Sequence, residues 1–166
     1  MREPDFVTWV ADGKMCTQVS AQYKRELLID YGQRYNLRTF VETGTCGGAT
    51  IEALLPHFDK LYSIEIDYKL YEQGCDRLAN HSSKVELFWG DSAEVLPKIL
   101  YRIAEPVLFW LDAHYSGPGT GCGPHNPLMA EIEAIITQGK QGVVLVDDIN
   151  FAKETILEHG ILRITL

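Results

Sequence analysis

The chain of 166 residues has no long apolar run, no block of basic residues and no pair of closely spaced cysteines. Each absence excludes something. Without an uninterrupted apolar stretch there is no candidate transmembrane span. The polar start Met1-Arg2-Glu3-Pro4-Asp5 carries no signal-peptide pattern, and Asp12 and Lys14 interrupt the apolar patch after it. A net charge of -8 without a basic cluster argues against nucleic acid and anionic membranes as partners, and leaves a small cationic ligand open. Cys16, Cys46, Cys75 and Cys122 are scattered and read as reduced thiols of a cytoplasmic protein. No internal repeat, linker or low-complexity tract divides the chain, so 1–166 reads as a single domain. Within it, 1–19 is an irregular arm, 20–150 a ligand-binding core, and 151–166 a short C-terminal element.

What is present is a repeated pairing of apolar strand and terminal acid. Five predicted strands end this way: Phe40-Val41-Glu42, Ser63-Ile64-Glu65, Phe88-Trp89-Gly90-Asp91, Phe109-Trp110-Leu111-Asp112 and Leu145-Val146-Asp147-Asp148. Helical patterns lie between them. Tyr23, Leu27, Leu28 and Tyr31 mark the first, and Leu70, Tyr71, Cys75 and Leu78 a later one. A helix over 92–103 is expected to break or restart at Pro97. One begun by Asn126-Pro127 is expected to bury Leu128, Ile132, Ile135 and Ile136. Alternating strand and helix predict an α/β fold with a doubly wound, mostly parallel sheet, shortened at its C-terminal end. All five strand ends then share the carboxyl edge, where such sheets bind ligands. A cluster of acids there requires an offset: a cationic ligand, hydroxyl and amino donors, or a metal ion.

The turn after the first of these strands is Glu42-Thr43-Gly44-Thr45-Cys46-Gly47-Gly48, and Glu65 comes 21 residues after Gly44. Glycines allow close approach of backbone to a ligand, a helix N-terminus offers N–H donors, and an acid at this distance suits ribose hydroxyls. The strict dinucleotide fingerprint fails, because Cys46 stands where its second glycine would be. Glu42 is unfavourable beside phosphates and well placed for a cation. Both weaken a nicotinamide-dependent oxidoreductase as a reading.

The segments V-E-T-G-T-C-G-G, Y-S-I-E-I-D and W-G-D-S resemble class I S-adenosylmethionine-dependent methyltransferases over about residues 38–150. W-L-D-A-H-Y-S-G and V-L-V-D-D-I-N resemble more narrowly the small-molecule O-methyltransferases of the catechol and macrocin type. The resemblance implies methyl transfer from S-adenosylmethionine to a hydroxyl of a small molecule. Its cofactor residues would be Glu42, Gly44, Thr45, Gly47, Gly48, Glu65, Asp91, Ser92 and Asp112. It also implies a divalent cation such as Mg²⁺ on Asp112, Asp147 and Asp148, a set of oxygen ligands that suits a hard ion. Such a metal would lower the pKa of the acceptor hydroxyl. His114, two residues past Asp112, is a second candidate for taking the hydroxyl proton, although the catechol-type enzymes carry a lysine slightly further along this loop. A zinc site from Asp112, His114, Cys122 and His125 fits no common spacing. The glycine- and proline-rich loop 115–124 comes next, as functional loops at this edge often do. A non-catalytic protein that keeps the cofactor site is the alternative, because little of the chain lies beyond the fifth strand. The apolar run Ile161-Leu162-Arg163-Ile164 predicts a last strand that pairs between copies as a homodimer.

Overall fold

A computed structural model describes residues 6–11, 14–103, 106–113, 126–147 and 162–165; over 6–11, 14–19 and 162–165 it describes the backbone course and pairing. Strands β1 (Phe6–Ala11) and β2 (Lys14–Val19) form an antiparallel pair of their own. This corrects the expectation of an irregular arm. The local signal in the sequence was Asp12-Gly13, a dipeptide that favours tight hairpins, between two short stretches.

The core continues as α1 (Ala21–Arg34), β3 (Thr39–Thr43), α2 (Ala49–Leu54), β4 (Lys60–Glu65), α3 (Tyr68–Leu78), β5 (Val85–Trp89), α4 (Ser92–Leu100), β6 (Val107–Leu111), α5 (Leu128–Thr137) and β7 (Gly142–Val146). Strand β8 (Leu162–Thr165) then pairs antiparallel with β7. The sheet order is β5-β4-β3-β6-β7-β8, and every pair except β7–β8 is parallel. The chain winds outward from β3 through β4 to β5, then returns to the other side of β3 for β6 and β7. The switch point therefore lies between β3 and β6, beside the glycine turn.

Side chains alternate between the two faces of a strand, and both faces are covered here. On one, Phe40, Leu61, Leu108, Trp110, Val143 and Leu145 pack against Leu27, Leu28, Tyr31, Ile51, Leu54 and Leu78 of α1, α2 and α3. On the other, Val41, Ile64, Phe109, Leu111, Val144 and Val146 pack against Leu96, Ile99, Leu100 and Ile135 of α4 and α5. This double burial is why β6 and β7 read as nearly unbroken apolar runs.

Two helix expectations change. Pro97 sits within α4 without ending it, and the burial of Leu96, Ile99 and Leu100 on either side holds the helix through it. In α5, Ile135 is fully buried but Ile136 is 58% exposed, and the fourth inward position belongs to Glu131 at 1%. Among the described residues no helix is long and apolar enough to cross a membrane.

Candidate active site

The two-residue period places Glu42 on the same face as Phe40, Asp112 with Trp110, Glu65 with Ser63 and Leu61, and Asp147 with Leu145. Four of the predicted acids thus continue one side of the sheet, the side covered by α1, at its carboxyl edge. The backbone joins their strand ends. Gly44 N donates to Ile64 O, Asp112 N to Thr43 O, and Asp147 N to Leu111 O. The β6–β7 register, with Leu111 opposite Val146, sets Asp112 opposite Asp147.

Gly44 has φ +87°, and a Cβ there would lie 2.7 Å from the carbonyl oxygen of Asp112. Only glycine permits both the left-handed turn and this contact between neighbouring strand ends. Cys46, Gly47 and Gly48 continue the turn with φ of 44°, 75° and 82°, and α2 starts directly after.

Glu65 is buried and its carboxylate is fixed from two sides. Cys46 N donates to Oε2 and Asp67 N to Oε1, both at 2.9 Å. One acid therefore ties the glycine turn to the β4–α3 corner, with lone pairs left for a ligand's hydroxyls. Glu42 is 2% exposed and accepts from Ser63 Oγ at 2.7 Å, while Ser63 and Thr45 share a hydrogen bond of 2.6 Å. Burial pushes the Glu42 carboxyl well above the usual carboxylate range. The Ser63 hydroxyl opposes this, Asp112 and Glu65 add to it, and Arg25 pulls back. The Cys46 thiol is likewise raised, by burial and then by Glu65, Asp112 and Glu42, so it is held as a thiol. A cation entering this space would relieve the repulsion that these groups share.

The remaining predicted residues divide. Asp91 caps α4, accepting from Ala93 N at 2.9 Å. Thr45 and Ser92 are buried at 3% and 5%, with hydroxyls turned to Ser63 and Glu131. Trp89 is 58% exposed and so lies outside the core. Its indole N–H donates to Ile66 O at 3.1 Å, and Tyr68 meets it edge-on at 5.1 Å between centroids. Phe109 and Trp110 are core. His114 and Asp148 lie outside the described residues, as does the loop 115–124.

Three groups at or behind the site are absent from the sequence-level set. Lys24, from the first turn of α1, donates to Asp147 Oδ2, and their side chains are 14% and 4% exposed. Arg25 stands next to it, its Nε buried without a hydrogen-bond partner, and its charge reaches Glu42. Glu131 lies behind the edge, its carboxyl raised to about 7 by burial, lowered by hydrogen bonds from the Ser92 and Thr43 hydroxyls, and raised by Asp91. Its Oε1 has no partner. Glu131 had a signal, being an acid on the apolar stripe of α5. Lys24 and Arg25 had none, because only the fold brings position 24 to position 147.

Among the described residues no three His, Cys, Asp or Glu side chains are arranged to hold an ion. Of the predicted metal ligands these residues include Asp112 and Asp147, with Asp147 bonded to Lys24, while Asp148 lies outside them.

No family model matches the sequence, and no curated protein matches it. Solved structures do. The O-methyltransferase TomG from Streptomyces achromogenes, in complex with S-adenosylmethionine, aligns with a TM-score of 0.61 at 20% identity over 78% of this chain and 56% of its own. A Bacillus cereus O-methyltransferase in complex with the demethylated product gives 0.61 at 19% over 78% and 57%. The 23S rRNA methyltransferase ErmE gives 0.53 at 18% over 77% and 48%. This chain spans about half of each of these proteins. The fold is that of the class I S-adenosylmethionine-dependent methyltransferases. Because the same fold carries a small-molecule enzyme and an rRNA enzyme, it does not choose the acceptor.

Proposed function

We propose that the chain binds S-adenosylmethionine at the β3–β6 switch point and transfers its methyl group to an oxygen of a small molecule. The observation that carries the reading is the single-faced row Glu42, Glu65, Asp112 and Asp147 around a glycine turn, with Glu42 raised and Glu65 pinned by two backbone amides. These features fit the cofactor's parts. Glu65 would accept the ribose hydroxyls, the Gly44–Gly48 turn would line the amino-acid portion, Glu42 would face its ammonium, and Trp89 with Asp91 would flank the adenine.

When bound, S-adenosylmethionine would supply a methyl group on a sulfonium, the S–C electron pair remaining on sulfur as the acceptor oxygen takes the methyl. The chain supplies position and charge. Fixed carboxylates on one face orient the sulfonium end without reorganising. Asp112, half-buried next to the acceptor end, would receive the hydroxyl proton on a carboxylate oxygen. His114 is the further candidate for that proton. The preference for small molecules over RNA rests on the acidic edge and the net charge of -8. Pairing of copies through β8, which ends the sheet next to β7, belongs to the same proposal.

Calorimetry with S-adenosylmethionine, its demethylated product and NAD tests the reading. One-to-one binding of the first two and none of NAD is expected. Binding of NAD alone would refute it. Binding of the methyl donor with no transfer to any phenol, sugar or other hydroxyl acceptor would favour a non-catalytic cofactor-binding protein.

A further inference from the structure

The four acids of the edge need positive charge, and the chain carries some of it. Helix α1 starts at a fixed point, because Ser20 caps it by accepting from Tyr23 N at 3.1 Å. Tyr23, Leu27, Leu28 and Tyr31 then lock it onto the sheet. The positions left facing the carboxyl edge are Lys24 and Arg25. Lys24 Nζ bonds Asp147 Oδ2 in an ion pair almost closed to solvent, and Asp147 stands opposite Asp112 in the strand register. Arg25 extends the positive charge toward Glu42.

We propose that the Lys24 ammonium holds the position on Asp147 that a divalent cation would otherwise take, so that this site meets its acceptor oxygen with a tethered cation. The inference rests on the methyl-transfer reading for what the site is for, and on Lys24 and Asp147 alone for how Asp147 is neutralised. A cation such as Mg²⁺ asks for near-octahedral oxygen coordination. At Asp147 it would have to displace or sit beside an ammonium whose helix is anchored next to the site by its buried face. An ammonium is a compact charge with three N–H donors. One serves Asp147, and two more remain for oxygens brought to the same place. The charge contributed is smaller than that of a metal.

The test is a Mn²⁺ titration of the full chain, monitored by the loss of the free-ion electron paramagnetic resonance signal. S-adenosylmethionine calorimetry with and without chelator is run on the same samples. Wild type and Lys24→Arg should take up no Mn²⁺ up to about 1 mM, the weak end of oxygen-ligand sites. Lys24→Met keeps the apolar stem and removes the charge. It should bind Mn²⁺ roughly tenfold or more tightly, as a carboxylate deprived of that ammonium would, and adding Asp147→Asn should abolish that gain. Cofactor affinity should not respond to chelator in any of them. Mn²⁺ uptake by wild type that Asp147→Asn removes would overturn the proposal even if Lys24→Met does not fold. A folded Lys24→Met without Mn²⁺ binding would overturn it as well. Failure of every sample to bind S-adenosylmethionine would instead overturn the methyl-transfer reading.

Discussion

Glu131 makes the stability of this protein fall as pH rises through a range in which ordinary carboxylates have finished titrating. The carboxyl is 1% exposed, and burial lifts it from 4.5 to about 7 against the hydrogen bonds of Ser92 and Thr43. The folded state therefore holds this proton more tightly than the unfolded chain does. The resulting stabilisation is complete below about pH 4.5 and is lost as pH climbs to about 7. At roughly 1.4 kcal/mol per pH unit the loss is about 3 kcal/mol, an appreciable part of a domain's stability. Glu131→Gln keeps the shape and neutral hydrogen bonding while removing the titration. Urea unfolding of wild type and variant at closely spaced pH values gives two curves whose difference cancels every other group. Relative to the variant, wild type should lose about 3 kcal/mol between about pH 4.5 and 8. A difference that stays flat, or that moves in favour of wild type as pH rises, would refute the buried neutral acid.

Three more outcomes are expected. Glu42 is raised by burial and by neighbouring acids, and a cationic ligand will lower it. S-adenosylmethionine should therefore release part of a proton on binding, seen as a dependence of binding enthalpy on buffer ionisation heat; an equal dependence in Glu42→Gln would assign the proton elsewhere. Glu65→Ala should weaken cofactor binding by about 1–3 kcal/mol, the cost of leaving ligand hydroxyls without an acceptor, and unchanged affinity by calorimetry would remove Glu65 from the site. Gly44→Ala should destabilise more than Gly139→Ala in urea. Both glycines are left-handed, at roughly 1–2 kcal/mol for an alanine, but only at Gly44 would the Cβ strike backbone, while nothing lies within 4 Å at Gly139. Equal losses would show that the contact with Asp112 yields at no cost.

The order of strands and helices in the core was legible because both faces of the sheet are buried, which writes β6 and β7 as runs of apolar residues. The acids were legible for a related reason: each comes at or just past the end of a strand, where the chain leaves the core and meets the edge. The face each acid takes comes from counting in twos from the last core residue, as Trp110 to Asp112 shows. The N-terminal hairpin was harder to see, because its only local mark is the Asp12-Gly13 pair between two short stretches of mixed polarity. The ion-pair partner of Asp147 was hidden for a different reason. Lys24 stands 123 residues away in sequence, and no local pattern links the two. Ser92 and Thr45 could be located by pattern, but their buried hydroxyls turn to Glu131 and Ser63, a choice that local sequence does not encode.

Helix α1 has a consequence for how the molecule can be divided. Residues 38–147 contain five parallel strands, the glycine turn and all the acids described at the edge, and on a sequence map they look separable. Yet α1 supplies the wall over Phe40, Leu108 and Trp110 and brings Lys24 to Asp147. A fragment cut at the start of β3 would retain every recognisable motif and leave Asp147 without its ammonium at the edge of an uncovered sheet. In this protein the boundary of the recognisable pattern is not the boundary of the working unit, and a shuffled or truncated relative without the helix would have to neutralise that edge in another way.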